Sequence, residues 1–208
     1  MKIISKFKNR LKVDKELSLF LIILLIIGII SGSIFASILN NSDKILISEH
    51  LNTFLTSIEN NNLDYITSFK NNIVSEILFT IIIWLLGISI IGLPIIIIMY
   101  FSSNFILGFT VGSIITTFKL KGCLFALIYV FPSEILKILA QILLVMYSMS
   151  FSFKLLYSVI KKKNIDFKLM INKYLIILVI CIIVNIITSL YNTFLLPKII
   201  KSLITFIR

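Results

Sequence analysis

Apolar residues in this chain come in long blocks rather than in the short alternations of a soluble domain. The run from Ser18 to Leu39 is uninterrupted by charge and long enough for a membrane-crossing helix, which needs about 20 apolar residues. Residues 73–118 carry no basic side chain. That length exceeds one crossing and suits two, turning either at Ile91-Gly92-Leu93-Pro94 or at Ser102-Ser103-Asn104. Pro94 lacks an amide proton and disfavours helix just before it, which favours the first turn. A third block, residues 123–156, is broken at Phe131-Pro132-Ser133-Glu134, so it predicts a re-entrant first part or a long, kinked and tilted helix. The last block, residues 174–196, predicts a helix that stops before Pro197. The resulting fold class is all-α, a polytopic membrane bundle of about five transmembrane helices.

Between the first two blocks, residues 40–72 form the one long polar stretch. Within it Ile47, Leu51, Phe54, Leu55 and Ile58 recur at helical spacing, with Glu49, His50, Asn52, Thr53 and Thr56 on the other side, predicting an amphipathic helix. Such a helix either rests on the membrane interface or presents a surface to a partner, and Leu51, Phe54, Leu55 and Ile58 are the candidate docking residues. Small residues recur four apart in two spans, at Gly28, Gly32 and Ala36 and again at Gly108 and Gly112. These are faces on which helices approach closely in lipid, within the chain or in a homo-oligomer.

Composition agrees with lipid as the main solvent: 59% of the 208 residues are hydrophobic and 14% charged, with a mean hydropathy of +1.09. The net charge of +11 comes from short basic segments between apolar blocks, which reads as membrane orientation and not as nucleic-acid binding. Lys2, Lys6, Lys8, Arg10, Lys12 and Lys15 place residues 1–17 in the cytoplasm. Lys154, Lys161, Lys162, Lys163, Lys168 and Lys173 place the segment around residues 157–173 there too, so an even number of crossings separates the two. The same basic segment could touch anionic lipid headgroups. A five-crossing chain then leaves Lys198, Lys201 and Arg208 outside, against the usual bias, unless a sixth dip returns the tail. The first apolar run is too long for a signal-peptide core and ends in Asn40-Asn41 without a cleavage pattern, so it is expected to be retained.

Candidate chemistry is sparse. Glu134, Lys137 and Gln141 share one face of the broken helix and form the sharpest polar feature, either a structural clasp at the Pro132 break or part of a solute or proton path in a small transporter or permease subunit. His50 is the sole histidine, Cys123 and Cys181 lack metal-ligand spacing, and no nucleotide, metalloprotease or nucleophile-elbow motif occurs. No cofactor and no catalysis are expected. Asn104, Asn185 and Trp84 are expected to serve helix packing.

The order of a basic tail, a small-residue helix and an outer amphipathic segment leads into Ile91-Gly92-Leu93-Pro94 and then Phe105-Ile-Leu-Gly108-Phe109-Thr110-Val-Gly112. The Gly122 turn and the Pro132-broken helix follow. This order resembles the stage II sporulation protein M family over nearly the whole chain. The resemblance implies a non-enzymatic scaffold of the cell membrane in endospore formation. Its implied place is the mother-cell septal membrane, and its implied partners are stage II sporulation proteins D and P, which degrade peptidoglycan during forespore engulfment.

Overall fold

The computed structural model describes residues 15–130, 132–161 and 167–207. The basic residues Lys2 to Lys12, with Phe131, Lys162, Lys163, Asp166 and Arg208, lie outside the described residues. The elements are α1 (Lys15–Ile38), α2 (Asn41–Glu59), α3 (Tyr65–Gly87), α4 (Gly92–Val130), α5 (Ser133–Lys161), α6 (Phe167–Leu190), a π-helical turn (Tyr191–Leu195) and α7 (Leu196–Ile207). Five helical stretches are long and apolar enough to cross a membrane. The chain is a multi-pass, all-helical membrane protein. Its outward side chains are the ones lipid selects: Leu19, Ile23, Ile26, Ile30 and Ile34 of α1 and Val179, Ile183 and Ile187 of α6 stand exposed, as a bilayer-facing surface requires.

The connections sort to two ends of the bundle. At the turn end, residues 88–91 join α3 to α4, three residues earlier than the Ile91–Pro94 expectation, and the Ser102-Ser103-Asn104 alternative lies inside α4. The turn's carbonyls are not left bare in an apolar setting, because Ser152 Oγ donates to the Gly87 carbonyl at 2.7 Å and to that of Ser89 at 3.1 Å. Tyr174 closes the same end. Its hydroxyl donates to the Trp84 carbonyl at 2.8 Å and, with that proton committed, accepts from Ser148 Oγ at 2.6 Å. Its ring stacks on Trp84 at 5.3 Å and on Phe151 at 5.0 Å. Below this clasp Leu21, Ile83, Ile96, Tyr100, Leu144, Val145 and Met149 fill the bundle centre.

The opposite end is capped by the chain itself. Helix α4 breaks at Lys119, whose φ of 54° and ψ of −129° are rarely adopted by a residue with a side chain. The chain then folds back: a Cβ on Gly122 would lie 3.0 Å from Ile115 Cα, and Phe125 meets Phe118 edge-on at 5.9 Å. Residues 120–130 rise only about 16 Å, too little to cross a bilayer by themselves, and the Pro132-broken block is divided between the end of α4 and the start of α5. The folded-back stretch packs with α2 and α7 around Leu55, Ile58, Ile114, Phe125, Ala126, Leu196 and Ile200.

Two boundaries differ from the sequence reading. Helix α3 begins at Tyr65 and not near residue 73, because Asp64 caps it: the carboxylate accepts from the Thr67 amide at 3.1 Å and from Thr67 Oγ1 at 2.6 Å. The last helix does not stop before Pro197. Proline in a helix clashes with the carbonyl four residues back and offers no donor. The π-helical turn absorbs this, with the Leu196 amide donating to the Tyr191 carbonyl five residues back, and the helix runs on to Ile207.

Candidate functional site

Charge inside the bundle gathers near the capped end. Lys137, one turn into α5, places Nζ 2.8 Å from Glu134 Oε1 and 2.9 Å from Glu76 Oε1 of α3. These side chains are mostly buried, at 27%, 13% and 15% exposure for Lys137, Glu134 and Glu76. Glu76 Oε2 accepts from Ser189 Oγ at 3.0 Å and lies 3.5 Å from Thr188 Oγ1. One turn deeper, Asn185 Nδ2 donates to Thr80 Oγ1 at 2.7 Å and to the Glu76 carbonyl at 3.2 Å. Three helices are thus tied by one polar network carrying two carboxylates against one ammonium.

The network divides two hollows. A cavity of about 180 Å³ lies toward the bundle centre, with Ser75, Thr80, Ser103, Gln141, Cys181 and Asn185 in its wall. Gln141 Oε1 sits 3.5 Å from Ser103 Oγ, and its Nε2 is buried without a partner among the described residues. A second cavity of about 430 Å³ opens toward the cap, and Glu76, Glu134 and Lys137 form its floor, with Asn192 and Thr193 beside them. Beyond the inner cavity lies the packed centre around Leu144, Val145 and Tyr100.

Glu134, Lys137 and Gln141 therefore share this region, and the structure adds Glu76, Asn185, Thr188 and Ser189. A helix starting near residue 73 would hold Glu76 in its first turn, whereas the observed start at Tyr65 sets it about three turns in. The missed signal was a pair of polar stripes in apolar helices, Glu76 with Thr80 and Asn185 with Thr188 and Ser189, each spaced for one helix face.

The amphipathic residues divide differently. Leu55 and Ile58 are buried in the cap, at 0% and 2% exposure, and Leu51 packs against them. Phe54 stays exposed and lines the rim of the larger cavity. The buried side of α2 is thus packed against the chain's own α4 and α7, and its exposed residues are both polar, with Glu49, Asn52 and Thr53, and apolar, with Ile45, Leu46 and Phe54.

Gly28, Gly32, Ala36, Gly108 and Gly112 meet in a single seam between α1 and α4. A Cβ on Gly28 would lie 2.9 Å from Asn104 Cβ, one on Gly112 would lie 2.9 Å from Ser33 Cα and 3.0 Å from Ala36 Cβ, and those on Gly32 and Gly108 would strike the Phe105 and Ile29 carbonyl oxygens. Ser33 Oγ bridges the seam to the Gly108 carbonyl at 2.9 Å. Among the described residues no group of three or more His, Cys, Asp or Glu is placed to hold a metal ion, and the two cysteines are not paired.

No curated protein and no solved structure matches the chain. The family model described as Stage II sporulation protein M matches residues 21–197, a span that includes the small-residue seam, the cap helix, the folded-back segment after Lys119 and the polar network. On that match the chain belongs to the stage II sporulation protein M family.

Proposed function

We propose that this sporulation membrane protein is a non-enzymatic scaffold, oriented with its N-terminus in the cytoplasm, whose extracytoplasmic cap recruits peptidoglycan-degrading partners during engulfment of the forespore. Stage II sporulation proteins D and P are the partners that the family resemblance implies. One observation carries the reading: the cap is a packed layer in which Leu55 and Ile58 are buried against Phe125, Leu196 and Ile200. A helix pinned in this way holds its outward face, with Glu49, Asn52, Thr53 and Phe54, in a fixed position. Pre-ordering of this kind lowers the entropic cost of recognition.

The test uses cells undergoing sporulation. Cross-linking and pull-down of the native protein should recover a peptidoglycan hydrolase, and charge changes confined to the outward face (Glu49→Lys with Asn52→Arg) should reduce that recovery while leaving the protein in the membrane at normal abundance. Recovery of no hydrolase, or full recovery by the surface variant, overturns the reading. Polar substitutions at Leu55 or Ile58 are unsuited to this purpose, since they would dismantle the cap before any partner is met.

A further inference from the structure

Where α1 gives way to α2, a groove of about 460 Å³ opens at the capped end. Its walls are the first two turns of α2, with Asn41, Lys44 and Ile45, and the last turn of α4 before the break at Lys119, with Thr116 and Thr117. Three of its polar groups are unengaged. Lys44 has no ion pair, and the side chains of Lys44, Asn41 and Thr117 make no hydrogen bond, among the described residues. None of the three is sealed by packing: Asn41 is exposed, Lys44 and Thr117 are half-buried, and the Thr117 hydroxyl stays accessible. The other two hydroxyls differ, since Ser48 and Thr116 donate to the Ile45 and Gly112 carbonyls of their own helices. No carboxylate lines the groove, whereas other hollows at this end hold Glu49, or Glu76 with Glu134. Asp43, next to Lys44 in sequence, is exposed and lies outside the groove wall.

An unpaired ammonium beside a free amide and a free hydroxyl, with no acid among them, selects an anion. The surroundings select an anion with an apolar body. Ile45 in the groove wall and Leu46 beside it are 57% and 54% exposed. They stand on a helix that begins two residues after the α1 span ends, which is the level where hydrocarbon gives way to headgroups. Exposed aliphatic side chains flanking a lysine at that level are the pattern of a helix lying in the interface. A free phosphate would satisfy Lys44 and leave Ile45 and Leu46 in water, whereas acyl chains remove that cost.

We propose that this groove seats the headgroup of an anionic phospholipid from the leaflet at the capped end, its phosphate on Lys44 and Thr117 and its acyl chains passing over Ile45 onto the bilayer-facing surface. A lipid held there fixes the first turns of α2 at headgroup depth. The site does not rest on the scaffold reading, and it lies at the opposite end of the bundle from the basic segment around residues 157–173.

The test is native mass spectrometry of the full chain in detergent, titrated with an equimolar mixture of phosphatidylglycerol and phosphatidylcholine. The first lipid adduct should be phosphatidylglycerol, with a preference of about five-fold, the gain expected from one basic residue at the surface. Lys44→Gln should cut the preference to below about two-fold and Lys44→Arg should keep it, while Thr117→Val should weaken it about two-fold, all with unchanged helix content and Trp84 emission. Lys161→Gln, at the other end of α5 from the cap, should behave as the parent does. A roughly ten-fold excess of glycerol phosphate, which offers the anion without acyl chains, should leave the adduct in place. The proposal is overturned if the two lipids bind alike, which would leave the groove to a protein partner. It is also overturned if Lys44→Gln matches the parent, if Lys161→Gln loses as much as Lys44→Gln, or if glycerol phosphate displaces the lipid.

Discussion

Replacing Lys137 by Met tests whether the buried charge network holds the bundle together. The change keeps the length and most of the volume of the side chain and deletes the charge that sits 2.8 and 2.9 Å from two carboxylates. Each contact is worth roughly 6 kcal/mol in gross Coulomb attraction at an effective dielectric near 20, but desolvation of the three groups offsets most of this. Deleting one partner of a buried pair leaves an uncompensated charge at a net cost of about 3–5 kcal/mol. Partial solvent access to Lys137, at 27%, puts the expected loss near the bottom of that range, about 3 kcal/mol, which corresponds to roughly 6–12 °C in Tm for a chain of this size. The companion variant replaces all three groups (E76Q/E134Q/K137M), removes every charge at similar volume, and should recover to within about 1 kcal/mol of the parent. The double variant E134L/K137M should not recover, because Glu76 would keep its charge with Ser189 and Thr188 as its side-chain partners. Unfolding in nanodiscs can be followed through the single tryptophan, Trp84, stacked on Tyr174 at the far end of the bundle. Parent-like stability of K137M, or a triple variant as labile as the single one, would refute the view that charge balance in this network matters to the fold.

Gly108→Leu should destabilise the bundle by about 3 kcal/mol or block its assembly, because the new side chain meets the backbone of α1 at Ile29 and neither helix can retreat without opening the seam; Trp84 fluorescence unfolding reads it, and a parent-like Tm counts against the close packing. Asp64, at the N-terminus of α3 and outside the membrane-spanning part, has its carboxyl held below the usual carboxylate range by its hydrogen bonds from Thr67. A depressed folded value means that the cap is fully in force at neutral pH and is lost as acid carries the pH down from the ordinary value of 3.8 through the lower folded one. Hydrogen exchange at the Thr67 amide should therefore accelerate on acidification below about pH 4, relative to its intrinsic rate, in the parent, and show no such step in Asp64→Asn.

How much was legible in the sequence followed the physics of each signal. Long apolar runs and four-residue glycine spacing are intrahelical patterns that need no partner to be seen, which is why the spans and the residues of the α1 and α4 seam could be named from the chain alone. The polar network could be seen only in part. Glu134 and Lys137 are neighbours on one helix, whereas Glu76 and Ser189 reach them from α3 and α6, and which faces of distant helices meet is a property of packing. The amphipathic helix was visible as a pattern, but a pattern cannot say whether lipid, a partner or the chain itself covers the apolar side. Here residues 120–130 and α7 cover it, and α7 itself was hidden because Pro197 reads as a stop. The π-helical turn that defeats this stop is set by local backbone adjustment at residues 191–195.

The continued last helix also bears on where the basic tail lies in the bundle. Residues 167–202 form one long apolar span, and Lys201 on its extension donates from Nζ to Asn61 Oδ1 at 2.7 Å. Asn61 lies in the link between α2 and α3, after one candidate span, and Lys201 lies near the end of the fifth, so an odd number of candidate spans separates each from the N-terminal segment and both sit at the capped end. No sixth dip is needed among the described residues. The positive-inside bias is a statistical preference over loops that the first helices usually dominate. Lys201 of the basic tail thus joins α7 to the α2–α3 link at the capped end, beside the packed residues Leu55, Ile58, Leu196 and Ile200.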